Sequence, residues 1–234
     1  MPVAVITGSS RGLGLALTDA LYRRGWDVVV DARHQSELGK ATEALRGPGR
    51  LVTVAGDVTD PSHVRDLAVA TEVLGGADLL VNNASTLGTS PLPTVADLDA
   101  EVLVQILRTN VVAPVMLVQA LLPQLRRRSG RIVNITSDAA VEPYETWGGY
   151  GSSKAALEQV TAVLAVEQPD LEVNAFDPGD MRTRMKQDSS PGEDISTLPD
   201  PATVVPALLR LVDEDLPSGR YRAHDLLAAE GARA

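Results

Sequence analysis

The sequence predicts a single α/β domain in which a doubly wound parallel sheet is flanked by helices. Aliphatic segments of strand length alternate with segments of helical period over the first three quarters of the chain, and this alternation is typical of βαβ units. Aromatic residues make up only 3% of the 234 residues, so the core consists mainly of Val, Leu, Ile and Ala, as in buried parallel strands. A chain of this length forms one sizeable domain, and no linker divides residues 1–234.

Six strands are predicted from the aliphatic segments. They cover Val3–Ile6, Asp27–Val30, Leu51–Ala55, Asp78–Val81, Arg131–Ile135 and Leu171–Phe176. The segments of helical period predict helices over Gly14–Arg24, Ser36–Leu45, Pro61–Leu74, Asp99–Arg127, Tyr150–Val166 and Thr203–Val212. Asp60-Pro61 and Asp200-Pro201 indicate helix starts, because Asp is a good N-cap and Pro is tolerated at the first helical position.

One segment, Met185–Asp200, departs from this alternation. It is rich in Ser, Pro, Gly, Asp and Glu and has little apolar periodicity. It therefore predicts a long loop, and loops of this length in compact domains often form mobile lids over sites. A surface insertion without such a role is the alternative interpretation.

Composition excludes several classes of function. The formal net charge of −10 argues against a nucleic-acid partner, since phosphate binding needs a basic face. The chain has no cysteine, which excludes disulfides and thiolate metal sites. His34, His63 and His224 are scattered without metal-ligand spacing, so we expect surface positions and no metal site. No apolar run approaches the length of a membrane span, and no targeting segment precedes the first strand, so we expect a cytoplasmic protein without a membrane partner.

A glycine-rich turn follows the first predicted strand and opens the first helix. It reads Thr7-Gly8-Ser9-Ser10-Arg11-Gly12-Leu13-Gly14. Glycines at such a turn let the backbone approach a pyrophosphate and seat the helix closely on the sheet, and the helix N-terminus offers free N–H groups to phosphates. The turn therefore predicts nucleotide binding, with a merely tight strand-to-helix turn as the alternative.

A Y-x-x-x-K pair, Tyr150 and Lys154, lies at the start of the fifth predicted helix. Residues four apart share one face of a helix, although a lone pair of this kind occurs by chance. Ser137 stands thirteen residues before Tyr150, at the end of a predicted strand. With the T-G-x-x-x-G-x-G turn, this arrangement resembles the classical short-chain dehydrogenase/reductase (SDR) family, from Pro2 to about Thr183.

The resemblance implies a Rossmann-type fold and hydride transfer between a nicotinamide cofactor and a carbonyl or alcohol. It implies a catalytic set of Asn110, Ser137, Tyr150 and Lys154. Tyr150 would be the general acid in reduction and the general base in oxidation, because Lys154 and the oxidised nicotinamide lower a pKa that is ordinarily about 10. Lys154 would also bind the nicotinamide ribose, and Ser137 would polarise the carbonyl oxygen. Asn110 would kink its helix and support a water chain.

The same resemblance implies the cofactor-binding residues Thr7, Gly8, Ser10, Arg11, Gly12, Leu13, Gly14, Arg33, Asp57, Val58, Asn83, Ala84, Tyr150, Lys154, Pro178, Gly179 and Thr183. A turn residue that bonds nearby backbone is the alternative for Asp57. Ser85 stands where the family usually has Gly, and it would be strained if the backbone there needs positive φ. Asp180 and Trp147 are expected to flank the substrate.

The choice between NADP(H) and NAD(H) depends on which residue at the end of the second strand faces the adenosine ribose. Family spacing places Ala32 there, and side chains alternate along a strand, so Asp31 points away. Arg33 and Arg11 would then bind a 2′-phosphate, which favours NADP(H) over NAD(H). The expected enzyme reduces a small-molecule ketone or aldehyde as a homodimer or homotetramer, assembled through the long helices. The alternatives are an NAD-linked alcohol dehydrogenase of the same family and a non-catalytic nucleotide-sensing protein.

Overall fold

A parallel sheet forms the centre of the computed structural model, which describes residues 1–231. Its seven strands are β1 (Val3–Ile6), β2 (Asp27–Ala32), β3 (Leu51–Ala55), β4 (Leu79–Asn82), β5 (Arg131–Ile135), β6 (Glu172–Asp177) and β7 (Gly219–Arg222). Their spatial order is β3-β2-β1-β4-β5-β6-β7, and every neighbouring pair is parallel. The predicted doubly wound α/β fold is confirmed. The last three residues of the predicted domain, 1–234, lie outside the described residues.

Helices cover both faces of this sheet. They are α1 (Gly12–Arg23), α2 (Gln35–Glu43), α3 (Pro61–Leu74), α4 (Ala100–Leu107), α5 (Ala113–Arg128), α6 (Gly148–Glu167), α7 (Arg184–Ser189), α8 (Val205–Asp213) and α9 (Ala223–Gly231). Leucines of α1 and α8 pack on one face of the strands, and leucines of α3 and α5 pack on the other. The strands β1, β2 and β4 are buried along their whole length, as their aliphatic sequences predict.

A π-helical turn interrupts the long helix predicted over Asp99–Arg127. Arg108–Val112 forms this turn between α4 and α5, and Asn110 at its centre is fully buried. The continuous helical stretch Ala100–Arg128 has 29 residues and is long and apolar enough to cross a membrane. The expectation that no apolar run reaches that length was therefore wrong. Leu117, Leu121 and Leu125 of this stretch pack in the core beneath the sheet.

The C-terminal part differs from its prediction in two ways. The lid segment Met185–Asp200 is not a loop throughout, because α7 occupies its first turns, where the Thr183 hydroxyl accepts a hydrogen bond from the Lys186 N–H at 3.2 Å. The chain also adds β7 and α9, which the sequence did not predict. The β7 sequence is Gly-Arg-Tyr-Arg, which has no aliphatic segment, and the strand lies at the edge of the sheet.

Candidate active site

A cleft of about 680 Å³ lies at the carboxyl ends of the strands. It is located where the strand order reverses between β1 and β4, the position at which doubly wound sheets bind ligands. Most of the residues predicted to bind cofactor line it: Gly8, Ser10, Arg11, Gly12, Leu13, Arg33, Asp57, Val58, Asn83, Ala84, Tyr150, Lys154, Pro178, Gly179 and Thr183. Ser137, Trp147 and Asp180 line the same cleft.

The glycine-rich turn forms one end of the cleft. Gly8 and Gly12 have φ angles of +69° and +58°, which only glycine adopts without strain. A Cβ on Gly8 would lie 2.9 Å from the Cα of Ala84, so the two loops touch through their backbones. Within the described residues no side chain caps the N-terminus of α1. Its free N–H groups therefore suit an anionic phosphate.

Two predicted cofactor residues, Thr7 and Gly14, are absent from the cleft lining of the described residues. The Thr7 hydroxyl accepts hydrogen bonds from the main-chain N–H groups of Asn83 and Ala84, each at 3.0 Å. A Cβ on Gly14 would lie 2.5 Å from Nδ2 of Asn83. Both positions hold the β1 and β4 loops together from behind. That Thr7 and Gly14 bind the cofactor stays a prediction.

Asp31 and Ala32 face opposite ways at the end of β2. Asp31 is buried, and its Oδ1 accepts a hydrogen bond from the Gly8 N–H at 2.7 Å, while its Oδ2 lies 3.0 Å from Nε2 of His63. Burial raises the pKa of Asp31, and the bonds from His63 and Gly8 act in the opposite direction. Asp31 therefore fixes the glycine turn, and it lines the cleft together with Ala32 and Arg33. The expected surface position of His63 was wrong, because the ring is buried against Asp31.

The end of the cleft at which the adenosine ribose would lie, called the ribose end, carries both positive and negative side chains. Nη2 of Arg11 lies 2.5 Å from Oε2 of Glu37, and both side chains are about half exposed. Arg33 is exposed and lines the same cleft. Glu37, on the first turn of α2, is a lining residue that sequence reasoning missed. Its exposed position in a polar helix gave no signal.

Asp57 and Val58 line the cleft after β3. Oδ1 of Asp57 accepts hydrogen bonds from both the N–H and the hydroxyl of Thr59 at 2.8 Å. This is the turn role that the sequence left open for Asp57. The Val58 side chain is buried beneath the turn.

Tyr150 and Lys154 lie next to each other on the buried face of α6. Nζ of Lys154 is 5.5 Å from the centroid of the Tyr150 ring and donates a hydrogen bond to the Ile135 carbonyl at 2.8 Å. Burial lowers the pKa of Lys154 to about 8. Burial also raises the pKa of Tyr150 well above its ordinary value, and the carboxylates of Asp177 and Asp138 add to this rise. Both effects favour the neutral phenol.

Ser137 and Asp138 extend from the end of β5 into the cleft. The Ser137 hydroxyl donates a hydrogen bond to Oδ1 of Asp138 at 2.9 Å, and its oxygen accepts one from the Ala139 N–H at 3.2 Å. The hydroxyls of Ser85 and Ser137 act on Tyr150 to lower its pKa, against the effect of burial. Asp138 is a second lining residue that sequence reasoning missed, although it follows a predicted site residue directly.

Asn110 does not line the cleft but supports it from the π-helical turn. Its Nδ2 donates to the Thr86 carbonyl and to the Ser153 hydroxyl, each at 2.9 Å, and its Oδ1 accepts from the Thr86 N–H at 2.9 Å. The Ser85 hydroxyl also bonds Oδ1 of Asn110, at 3.1 Å. Ser85 is not among the described non-glycine residues with positive φ, so the expected strain at this position is absent.

An aromatic wall closes the cleft beside Tyr150. The Trp147 ring meets the Tyr150 ring edge-on, with centroids 5.6 Å apart. Nζ of Lys186 on α7 lies 5.9 Å from the Trp147 ring centroid and 2.9 Å from Oδ2 of Asp180. Leu87 and Met185 pack in the same apolar cluster as Tyr150. This end of the cleft therefore offers an apolar surface bordered by ionic groups.

The cleft as a whole fits an extended dinucleotide. Its one end presents the uncapped N-terminus of α1, which suits a pyrophosphate. Its other end presents Tyr150, Lys154 and the Pro178-Gly179 turn, where a nicotinamide and its ribose would be held. Small residues, Gly8, Gly12 and Ala84, line the cleft between these two ends, so a ligand can approach the main chain closely.

Known short-chain dehydrogenases resemble this chain in sequence and structure. The family model for short chain dehydrogenase matches residues 2–194. An uncharacterized oxidoreductase of Saccharomyces cerevisiae is 34% identical over 196 residues, covering 81% of this chain and 76% of that protein. Human dehydrogenase/reductase SDR family member 2, mitochondrial, is 37% identical over 194 residues, covering 77% and 65%. The alcohol dehydrogenase of the archaeon Thermococcus sibiricus, solved with 5-hydroxy-NADP, has a TM-score of 0.85 at 27% identity, covering 95% of each chain.

The fold and these relatives define the protein as an oxidoreductase. The chain belongs to the short-chain dehydrogenase family, whose members use nicotinamide cofactors and bind small-molecule substrates.

Proposed function

We propose that this chain is an NADP(H)-dependent oxidoreductase that reduces a small-molecule ketone or aldehyde to the alcohol. The observation that carries the proposal is the buried pair of Tyr150 and Lys154, in which Nζ of Lys154 lies 5.5 Å from the centroid of the Tyr150 ring. The pair shares its cleft with Ser137 and with the N-terminus of α1. When bound, the cofactor supplies or accepts the hydride. The protein then has to bind the carbonyl oxygen and move one proton to it.

Tyr150 is the proton donor to the carbonyl oxygen in reduction and the base in oxidation. Its phenol is neutral in the free protein because burial raises its pKa, which suits a general acid. In the oxidative direction a positive charge nearby has to favour the phenolate, and the ammonium of Lys154 lies 5.5 Å from the centroid of the Tyr150 ring. Ser137 donates to the same carbonyl oxygen once its hydroxyl leaves Asp138.

Lys154 also orients the nicotinamide ribose through its ammonium group. Asn110 acts behind these residues, where its four hydrogen bonds fix the loop after β4 and the start of α6. We propose that a water chain beside Asn110 resupplies the proton to Tyr150. Its buried amide, together with the hydroxyls of Ser85 and Ser153 that bond to it, gives such a chain a polar wall.

The preference for NADP(H) is supported by the charges at the ribose end. Arg11 and Arg33 are the cations of the cleft there, Ala32 offers no acid to a ribose hydroxyl, and Asp31 is engaged with Gly8. Guanidinium groups bind phosphate well. The structure of the archaeal alcohol dehydrogenase contains an NADP derivative. One observation favours the NAD-linked alternative, namely the Glu37 carboxylate, which could accept a bond from a ribose 2′-hydroxyl.

The assignment of Tyr150 is tested by Tyr150→Phe on a panel of ketones and aldehydes, followed by NADPH absorbance. We expect a loss of turnover of roughly 10²-fold or more, since general acid catalysis contributes about that much, with NADPH affinity by calorimetry nearly unchanged. Tyr22→Phe is the control, because Tyr22 lies near the end of α1, outside the cleft lining. Turnover retained in Tyr150→Phe would refute the assignment, and a wild type that binds NADPH without turnover would favour the nucleotide sensor.

The cofactor preference is tested by Arg33→Ala. We expect NADPH affinity to fall by roughly 10- to 100-fold, because a hydrogen bond to a charged group contributes about 1.5–3 kcal/mol, and NADH affinity to change little. Arg46→Ala is the matched control, since Arg46 is exposed and bonds carbonyls at the end of α2 outside the cleft. Equal losses for both cofactors would contradict the preference for NADP(H).

We also propose a homo-oligomer assembled through the long helices. The side chains of Val104, Val112, Val163 and Val166 on α4, the π-helical turn and α6 are exposed, and apolar surface of this kind favours association. Light scattering of the purified protein should give the mass of a dimer or tetramer. A monomer at micromolar concentration would contradict the proposal.

A further inference from the structure

An arginine at the edge of the sheet connects three segments of the candidate active site. Nη2 of Arg220 on β7 donates to Oδ2 of Asp177 at 3.0 Å and to the Ser137 carbonyl at 3.3 Å. Its Nε donates to Oε1 of Glu158 at 2.9 Å. We propose that Arg220 is a positioning residue of the reaction, which neutralises the Asp177 carboxylate beside Tyr150 and fixes the strand end that carries Ser137. The inference rests on the proposed function of Tyr150 as the acid and base.

Asp177 is the residue that requires this neutralisation. It is the last residue of β6, it lines the cleft, and only 4% of it is exposed. Its Oδ1 accepts a hydrogen bond from the Gly179 N–H at 3.0 Å, and its Oδ2 is bonded to Arg220. A buried carboxylate is costly unless it is paired and fully hydrogen-bonded. Arg220 therefore allows an ionised group to stand directly before the Pro178-Gly179 turn.

Glu158 extends the same network to the helix that carries Tyr150 and Lys154. It lies one turn beyond Lys154 on α6, and its Oε1 also accepts a hydrogen bond from the Thr136 hydroxyl at 2.6 Å. Thr136 is buried and immediately precedes Ser137. Through Glu158, Arg220 sets the position of α6 relative to the end of β5. One guanidinium group thus joins the strand end that carries Ser137 to the helix that carries Tyr150 and Lys154.

The charges around Tyr150 show what the loss of Arg220 would do. Lys154 lies beside the ring on the same helix, and the carboxylates of Asp138 and Asp177 approach from the ends of β5 and β6. Both carboxylates raise the pKa of Tyr150, after the larger effect of burial. Arg220 is the cation bonded to Asp177. Without it the Asp177 charge is uncompensated, and the phenolate of Tyr150 becomes harder to form.

The test is the pH profile of kcat for alcohol oxidation with NADP⁺, in which Tyr150 has to act as a base. We expect Arg220→Gln to move the rising limb to higher pH by about one unit, which is about a tenfold loss of kcat at a fixed pH below the limb. The KM for NADP⁺ should change little. The double variant Arg220→Gln, Asp177→Asn should restore the position of the limb, because Asn keeps an oxygen for the Gly179 N–H and removes the charge.

Arg222→Gln is the matched control for charge on the same strand. Arg222 pairs with Asp177 in the β6–β7 register, but its guanidinium is exposed and bonded to Asp225 at 2.7 Å and 3.1 Å. Its loss should leave the limb in place. Arg220→Lys keeps the charge and loses the forked geometry, so it should lower kcat with a limb close to that of the wild type.

Two results would overturn the inference while the proposed function stands. One is a wild-type limb in both Arg220→Gln and Asp177→Asn, and the other is a loss of kcat in Arg220→Gln without any movement of the limb. If Arg220→Gln fails to fold, Asp177→Asn alone decides, since it should move the limb to lower pH. A wild type without turnover on any alcohol or carbonyl would instead overturn the proposed function, and this inference with it.

Discussion

Replacing Glu37 with Gln removes one negative charge from the ribose end of the cleft and keeps the size of the side chain. In the free protein the Glu37 carboxylate lies 2.5 Å from Nη2 of Arg11. A bound 2′-phosphate would have to share or take over that guanidinium group. Glu37 therefore competes with the phosphate for Arg11 and also repels it. We expect Glu37→Gln to bind NADPH more tightly than the wild type.

The size of this gain follows from the exposure of the Arg11–Glu37 pair. The two side chains are 49% and 48% exposed, and ion pairs at such exposure contribute about 0.2–1 kcal/mol. Repulsion between Glu37 and the phosphate adds a small amount, because charges are screened over about 8 Å at physiological ionic strength. A total of about 0.5–1 kcal/mol corresponds to roughly two- to fivefold tighter binding. NADH lacks the 2′-phosphate, so it should gain no affinity in Glu37→Gln, and it should lose affinity if Glu37 accepts a bond from its ribose 2′-hydroxyl.

Calorimetric titration of NADPH and NADH into the wild type and Glu37→Gln measures this difference directly. Glu43→Gln is the control, because Glu43 is exposed on the same helix and lies outside the cleft lining. The gain should shrink at about 1 M salt, where screening acts over about 3 Å. The reasoning is refuted if NADPH binds no more tightly, if NADH gains as much, or if Glu43→Gln has the same effect.

Two further variants test the buried polar groups. The fully buried side chain of Asn110 makes four hydrogen bonds, and Asn110→Ala removes all of them. We therefore expect the free energy of unfolding, measured in urea, to fall by about 2–4 kcal/mol. A loss under about 1 kcal/mol would contradict this structural role. Hydrogen bonds from Arg50 hold the pKa of Asp27 below its usual value. The stabilisation that the ionised Asp27 gives the folded protein is therefore complete above about pH 4, and it is lost as the pH falls through the lower folded-state pKa. Asp27→Asn should therefore be less stable than the wild type at pH 7, by a margin that shrinks in acid; a margin independent of pH would refute the assignment.

Strands β1 to β6 were predictable because each contains an aliphatic segment, although β1, β2 and β4 are buried along their whole length and the edge strand β3 is half-buried. β7 is different in physical terms. It is a four-residue edge strand of polar residues, and its position depends on pairing with β6 and on the bonds of Arg220 across the sheet. Such partners are distant in sequence, and local periodicity does not report them. The residue we propose to position the reaction therefore lies in the strand that was missed.

The π-helical turn between α4 and α5 could not be predicted from the hydrophobic periodicity of the sequence either. The sequence from Ala100 to Arg128 has the composition of one continuous helix. The π-helical turn at Asn110 coincides with tertiary hydrogen bonds to Thr86 and Ser153, which belong to other segments. Only the resemblance to the family indicated a kink at Asn110, and the structure has a distortion there.

The candidate site was predicted better than its charged surroundings. Tyr150, Lys154 and Ser137 were expected together from the resemblance to the family, and the structure places all three at one cleft. The Arg11–Glu37 and Asp31–His63 contacts join residues 26 and 32 positions apart. Neither type of pair has a sequence spacing that would reveal it, and His63 was for that reason expected at the surface.

The position of Trp147 gives the protein a built-in optical reporter. The chain has two tryptophans, and Trp147 lies on the wall of the cleft, 5.6 Å from the Tyr150 ring, whereas Trp26 packs against the core cluster on the α1 side of the sheet. Reduced nicotinamide absorbs light in the range in which indole emits. A reduced cofactor bound in the cleft should therefore quench the fluorescence of Trp147 by energy transfer, and Trp147→Phe should remove most of that signal while Trp26→Phe preserves it.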